Sequence, residues 1–317
     1  MRRQFLLAAC CVGLASLSIN SAFAQIGAPQ LGWVPDEGRI RPVYGMPAAA
    51  AVGAPIPSDQ VFRQTAASQA RDYVLVSIAE TGAVLVYTPA HGFIPLDGAA
   101  TAPDSIVLSP SGSSAALWFA PINRLQVITG LPDTPAIRDV SVPFGDAAPG
   151  ALAISDDGAW VAGVWNPSVY AFGPNGEVNR LPIDNTTAVA FFPGTHNVAA
   201  AGPAGLQIVT GADGFAVVSN LLISGDASLQ PVSVALTSDS RTMIVADRSG
   251  SVTTIDIASG SASVIDCGCQ PDGLFAIART AFRLTGLSGG AFKLIDAASG
   301  EILFAPLALA ETEGAGQ

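Results

Sequence analysis

Two cysteines one residue apart, in Cys267-Gly268-Cys269, are the most distinctive reactive groups in this sequence. They follow the strand-like run ending at Ile265 and precede another beginning near Pro271. Three readings are open. A disulfide would close a ring of three residues, which the intervening glycine eases, but so short a ring constrains the unfolded chain little. Two free, partly buried thiols are the second reading. The third is a redox or soft-metal role, such as copper, for which two thiolates alone are an incomplete site. Gly286-Leu287-Ser288-Gly289-Gly290 has the G-x-S-x-G pattern of a nucleophile elbow. That pattern works only on a turn from strand into helix, with its serine beside a histidine. Here Ala291-Phe292-Lys293-Leu294-Ile295 follows, a second strand-like run, so a hairpin turn is expected.

The two histidines, His91 and His196, both sit in loops beside glycines. Zinc usually takes three or four ligands, and neither H-E-x-x-H nor C-x₂-C occurs, so solvated loop histidines are expected. Nothing in the linear order brings either histidine to a serine or a carboxylate. Asp156, Asp157, Asp184, Asp213, Asp226, Asp239 and Asp247 lie near turns without the spacing of a calcium loop, which suits turn capping. Trp118, Trp160 and Trp165 fall in or beside strand-like runs, where packing is expected before a glycan platform. Asn185-Thr186-Thr187 matches a glycosylation sequon, to which little weight is given. No catalytic, cofactor-binding or metal residue is assigned on these grounds; the site candidates are Cys267 and Cys269, as a disulfide.

The elements that must position these groups repeat. Segments opening at Ala102-Pro103, Ala148-Pro149, Thr187-Ala188, Gln230-Pro231 and Gln270-Pro271 align with one another. Pro103, Pro149, Pro231 and Pro271 are spaced by 46, 82 and 40 residues, the wide gap holding two copies. Each unit parses into four short strands. In 229–266 these are 232–236, 242–246, 251–257 and 261–265, rich in β-branched residues and bounded by Ser, Asp and Gly. Sustained helical periodicity is absent outside the first residues. A period of about forty residues, four strands each, is the length of one propeller blade. The fold expected is therefore all-β, a β-propeller of four-stranded blades.

Ser109-Pro110-Ser111-Gly112, Ser155-Asp156-Asp157-Gly158 and Ser238-Asp239-Ser240 resemble the S-P-D-G turn of bacterial WD-repeat-like and YVTN-type propellers. In those families this turn joins the two inner strands of a blade. Asp-x-x-Ser-Gly at 256–260 and 296–300 is similar to their outer-strand turn. The resemblance covers roughly 71–307, and no Trp-Asp pair closes any blade. It implies the fold and leaves function open, because such propellers host many activities. Calcium in a central channel, as in lactonase-type propellers, would need several carboxylates or amides converging on the axis.

Five complete units span 102–146, 148–185, 186–228, 229–269 and 270–307. A sixth has strands at 73–78, 83–88 and 93–96. A hairpin at 31–35 and 40–44, turning at Asp36-Glu37-Gly38, is expected in a seventh, irregular blade beside the last one. Seven blades are expected, with six plus an N-terminal extension as the alternative. The division is 1–24 leader, 25–70 hairpin and Pro/Ala-rich segment closing the ring, 71–307 blades and 308–317 disordered tail. Residues 46–60 read as a linker or capping loop.

Residues 1–24 read as a secretory leader: Arg2 and Arg3, then an apolar stretch over 5–17, then Ala22-Phe23-Ala24 as the cleavage site. Leu7-Ala8-Ala9-Cys10 competes as a lipoprotein box, with Cys10 carrying the lipid, but the apolar stretch before it is short. Ordinary cleavage and a periplasmic or secreted protein are expected, without a transmembrane segment. The net charge of −11 becomes about −13 without Arg2 and Arg3, which repels phosphate backbones and argues against nucleic-acid partners. A protein or glycan ligand, a monomeric state and no cofactor are expected. With no reactive residues converging, a non-enzymatic binding or interaction module is the first functional reading. The alternative is a propeller enzyme such as a metal-dependent lactonase-type hydrolase.

Overall fold

The computed structural model describes residues 28–308 except 69, 146, 224–228 and 288–289. The expected leader with Cys10, the tail from 309, Asp226 and the serine of the elbow-like motif, Ser288, lie outside the described residues.

The chain forms seven sheets in sequence order, each an antiparallel meander. The first holds β1 (Gln30–Asp36), β2 (Arg39–Tyr44) and β3 (Ala51–Val52). The second holds β4 (Phe62–Ser68), β5 (Tyr73–Ile78), β6 (Val84–Thr88) and β7 (Gly92–Pro95). The third holds β8 (Ser105–Leu108), β9 (Ser114–Phe119), β10 (Arg124–Thr129) and β11 (Ala136–Val140). The fourth holds β12 (Ala151–Ile154), β13 (Val161–Trp165), β14 (Ser168–Phe172) and β15 (Val178–Asp184). The fifth holds β16 (Ala188–Phe191), β17 (Val198–Gly202), β18 (Gly205–Thr210) and β19 (Val217–Ile223). The sixth holds β20 (Pro231–Leu236), β21 (Thr242–Asp247), β22 (Ser251–Asp256) and β23 (Ala262–Asp266). The seventh holds β24 (Phe275–Ala276), β25 (Ala281–Arg283), β26 (Ala291–Asp296) and β27 (Glu301–Pro306). The only helical turns among the described residues are 3-10 turns at Pro47–Ala49 and Ala120–Ile122. This is a seven-bladed β-propeller.

The burial pattern explains the architecture. Every residue of β5, β9, β13 and β17 is buried, on both faces of the sheet. Strands of this kind, written in Val, Leu, Ile, Ala and aromatic residues, need a partner sheet on each side. The described residues accordingly form one apolar cluster at each blade–blade interface. Leu75, Val86, Leu117 and Ile128 join blades two and three; Val127, Val140, Ile154 and Val161 join three and four. Ala162, Val164, Phe191 and Val198 join four and five; Leu206, Val234 and Met243 join five and six. Fourth strands are different: β23 is exposed at four of its five positions.

Two stretches differ from the sequence reading. The blade expected from Tyr73 begins at β4, ahead of residue 71, in a run (Phe62-Arg63-Gln64-Thr65-Ala66-Ala67-Ser68) too polar to announce a strand. Residues 46–60 are more than a linker, since β3 pairs with β2 through Val43–Val52 and Tyr44–Ala51. The ring closes there. Val34, Val43 and Val52 pack against Ile277, Phe292, Leu294 and Ala305 of the last blade. Val52 makes a parallel bridge to Leu307, and Ala308 N–H donates to the Val52 carbonyl at 2.8 Å. The incomplete first sheet thus meets the end of the last blade along its free edge.

Phe191 is 1% exposed within the cluster between blades four and five. Phe191→Ala is expected to lower the unfolding free energy by about 3–5 kcal/mol, read from the denaturant midpoint, because the ring vacates a closed interface. A shift below about 1 kcal/mol would mean that the interface is not packed as described.

Candidate ligand cleft on the rim of the last blade

In each meander the first-to-second and third-to-fourth turns share one rim. The second-to-third turns and the links between blades share the other. A cleft of about 490 Å³ opens on this second rim, over the last blade. Its wall begins with the link after β23. Cys267 N–H donates to the Gly250 carbonyl at 2.9 Å, fastening this link to the turn between β21 and β22. Gly250 has φ +97°, and a Cβ there would lie 2.6 Å from the Cys269 carbonyl oxygen, so only glycine allows the approach. Gly268 has φ +54° and donates its N–H to Asp266 Oδ1 at 2.8 Å, which turns the chain between the cysteines. The two sulfurs are joined, Cys267 Sγ to Cys269 Sγ at 2.03 Å. Cys267 is 3% exposed among Ile244, Val252, Phe282 and Leu284, whereas Cys269 is half-buried and lines the cleft.

The opposite wall is β26 and β27. Lys293, the single lysine of the chain, donates from Nζ to the Cys267 carbonyl at 2.9 Å and the Gly268 carbonyl at 2.6 Å. The same ammonium lies 5.2 Å from the centre of the Phe304 ring, which is 61% exposed. Next to the lining residues Thr285 and Asp272, the buried Arg283 donates to the Thr285 carbonyl at 2.8 Å, lies 3.6 Å from Asp272 and stacks over Phe275 at 4.1 Å. Burial pulls its pKa down against the opposing charge of Asp272, and an arginine stays protonated even so. The cleft therefore offers an aromatic plate, a cation, the Asp272 carboxylate, the Thr285 hydroxyl and the Gln270 amide. Such a lining suits a polar ligand with one apolar face.

The remaining candidates are distributed elsewhere. The elbow-like motif falls between β25 and β26 and is followed at Ala291 by a strand. His91 is exposed, with Nδ1 3.3 Å from the Thr88 hydroxyl in a hairpin turn. Trp118, Trp160 and Trp165 are 3%, 7% and 6% exposed and serve as packing. The aspartates are engaged in turns: Asp184 with Arg180 and Ser168, Asp239 with Thr237 Oγ1 and Arg241 N–H, Asp247 with Gln230 and Ser249 N–H. Asp156 spans three blades, accepting from Ser111 N–H at 2.6 Å and Gly194 N–H at 2.7 Å.

His196 is a correction: it is no solvated loop histidine. Its Nε2 lies 2.9 Å from Asp157 Oδ2 and its Nδ1 lies 2.7 Å from Asp213 Oδ2, so it clasps blade four to blade five on the first rim. Sequence order hid this, because the three residues meet only when neighbouring turns are brought side by side. Ser155 does not complete a nucleophilic triad. It is fully buried, and its hydroxyl donates to Asp157 Oδ1 at 2.6 Å. The cleft was also missed apart from its cysteines; Lys293 and Phe304 carry no local motif. The seven first strands hold one carboxylate, Asp36 at the end of β1, paired with Arg41 at 2.6 Å. No group of three or more His, Cys, Asp or Glu side chains converges among the described residues.

The class of protein these features define is a seven-bladed propeller with a cleft on one rim, and the comparisons with solved structures agree on the fold. The chain is similar to a streptogramin B lyase structure, with a TM-score of 0.56 and 12% identity over 80% of this chain and 85% of that one. It is similar to a functionally unknown protein from Desulfotomaculum acetoxidans DSM 771, with 0.59 and 13% over 87% and 99%. The Cps50 (Swd1) β-propeller domain from Myceliophteria thermophila gives 0.55 and 10% over 81% and 93%. No family model and no curated protein matches the sequence.

Burial lowers the His196 pKa, but hydrogen bonds and charge from Asp213 and Asp157 outweigh it and leave the group above its ordinary 6.5. Burial likewise works against ionised Asp157, yet bonds from Ser155, Ala159 and His196 hold it below its ordinary 3.8. The histidine's contribution to stability is complete below about pH 6.5 and fades as pH rises through the raised value. The Asp157 contribution is complete above about pH 4 and fades as pH falls through the lowered value. The stability difference between wild type and His196→Gln, from urea midpoints, is expected to peak between about pH 4 and 6.5 and to shrink towards pH 9. A difference that stays flat across this range would remove the charged clasp.

Proposed function

We propose that this chain is an exported β-propeller that acts as a non-enzymatic binding module and holds its ligand in the cleft over the last blade. The observation that carries the reading is the 490 Å³ cleft, in which Phe304, Lys293, Thr285, Gln270 and Asp272 face one space. Among the described residues of the cleft, no nucleophile is hydrogen-bonded to a base, one of the arrangements that activate a nucleophile. Exposed aromatic area beside a cation and uncharged polar groups suits a protein segment or a glycan. Export rests on the leader read in residues 1–24 and on the cysteine pair, which an oxidising compartment would keep bridged. The division into leader, closing segment, blades and tail belongs to the same proposal, as does the monomeric state. No helix among the described residues is long and apolar enough to cross a membrane.

The streptogramin B lyase neighbour brings the enzymatic alternative into view, since a lyase has this fold. At 12% identity it lends this chain a fold and no chemistry. A lactonase-type metal site on the axis would have to be built from first strands that supply a single, already paired carboxylate.

Mature protein, with its N-terminus established by intact mass, can be screened on glycan and peptide arrays. A ligand is expected whose affinity falls roughly tenfold or more in Phe304→Ala, with the melting temperature unchanged. Ligands that bind the variant as well as wild type would place recognition outside the cleft, and a screen yielding none would count against a binding module.

A further inference from the structure

The cysteine pair forms part of the wall of the cleft, and its two sulfurs are not equivalent. Cys269 is half-buried, packs against the apolar cluster between blades six and seven and also lines the open space, whereas Cys267 is 3% exposed within that cluster. The pair spans only two positions of chain, so opening it frees little loop entropy and leaves the blades intact. The link does not depend on the bond to keep its place. It is held by Cys267 N–H on the Gly250 carbonyl, by Gly268 N–H on Asp266, and by Lys293 on the Cys267 and Gly268 carbonyls. The ammonium of Lys293 also places a full positive charge beside the residue whose sulfur would leave.

We infer that the cleft captures thiol-bearing ligands covalently, by thiol–disulfide exchange at Cys269. A ligand thiolate attacks Cys269 Sγ in line with the existing bond. A new ligand–Cys269 disulfide forms, the Cys267–Cys269 bond breaks, and its electron pair leaves on Cys267 Sγ. The Lys293 ammonium is held on the carbonyl of the same residue and not on its sulfur, so it favours the leaving thiolate only through space, and the thiolate takes up the proton that the ligand thiol gave up. One disulfide is exchanged for another, so no further oxidant or reductant is needed. The class of ligand is a small thiol such as glutathione, or a cysteine-containing peptide whose apolar side chains rest on Phe304. The inference rests on the reading of the cleft as a ligand site and goes beyond it by naming the reacting atoms.

The test begins with thiol titration of denatured mature protein without reductant. No free thiol is expected; a full count of two would overturn the proposal at once. Oxidised wild type incubated with reduced glutathione is then expected to carry the adduct on Cys269, located by peptide mass, with one free thiol per chain. Adducts confined to Cys267, or no adduct under conditions that exchange a solvent-exposed model disulfide, would overturn it. Two single variants read the asymmetry without relying on the adduct. Cys267→Ser should react with an aromatic disulfide reagent about tenfold or more faster than Cys269→Ser, both native by melting temperature. Equal rates, or the reverse order, would sink the assignment of Cys269 as the attacked atom. Lys293→Met should slow glutathione exchange in wild-type background several-fold; an unchanged rate would remove the lysine's role and count against this site. The two proposals separate cleanly. Array binding lost in Phe304→Ala without any exchange leaves a binding module that lacks covalent capture. Exchange at Cys269 without an array ligand leaves a reactive disulfide outside any recognition cleft.

Discussion

No blade of this protein can shelter its own apolar faces. A single sheet has two sides, and β5, β9, β13 and β17 are buried on both, so their sheets are stable only between two others. Seven interfaces result, each with its own apolar cluster, and the ring has to close for the first and last sheets to be covered as well. The Val52–Leu307 bridge and the packing of Val34 and Val43 on Phe292 and Leu294 are the consequence. Closure joins the two ends of the described chain, so every apolar face inside the ring is satisfied before any surface feature is considered.

Once the ring is closed, its two rims behave differently. The first rim is tied across blades by short polar bonds. Asp156 reaches turns on both neighbouring blades, His196 clasps Asp157 and Asp213, and Tyr73 Oη donates to the Gly112 carbonyl at 2.7 Å. The Tyr73 bond is buried and the Ser111–Asp156 bond part-buried, where an unpaired donor or acceptor costs more than a bond returns; those of His196 and of Gly194 to Asp156 are exposed. Turn residues on this rim are therefore committed to structure.

The second rim keeps space over the blade whose first and second strands are the shortest. In the last blade, β24 has two residues and β25 three, so the sheet offers little edge for the preceding link to lie against. That link, carrying Cys267 and Cys269, instead leans on Gly250 and on the Lys293 ammonium. The gap between it and β27 is the cleft. Shortened strands, an unusual glycine-spaced cysteine pair and the single lysine of the chain coincide in this one place, which is why function is sought there.

Fold class was legible in the sequence because its determinants are local and repeated. Strand alternation, Ser/Asp/Gly turns and a period near forty residues are properties of short windows, and the five aligned copies reinforce one another. The blade at 229–266 could be parsed strand by strand for this reason, whereas β4 and β3 escaped because Arg63-Gln64-Thr65 and a two-residue strand carry no such pattern. The cysteines stood out by type and spacing. Which cysteine lines the cleft, that Lys293 reaches the Cys267 and Gly268 carbonyls from β26, and that His196 finds a carboxylate on each ring nitrogen were decided by tertiary structure alone. Those groups lie between 17 and 39 positions apart, and distance along the chain says nothing about them until neighbouring blades fix their turns side by side.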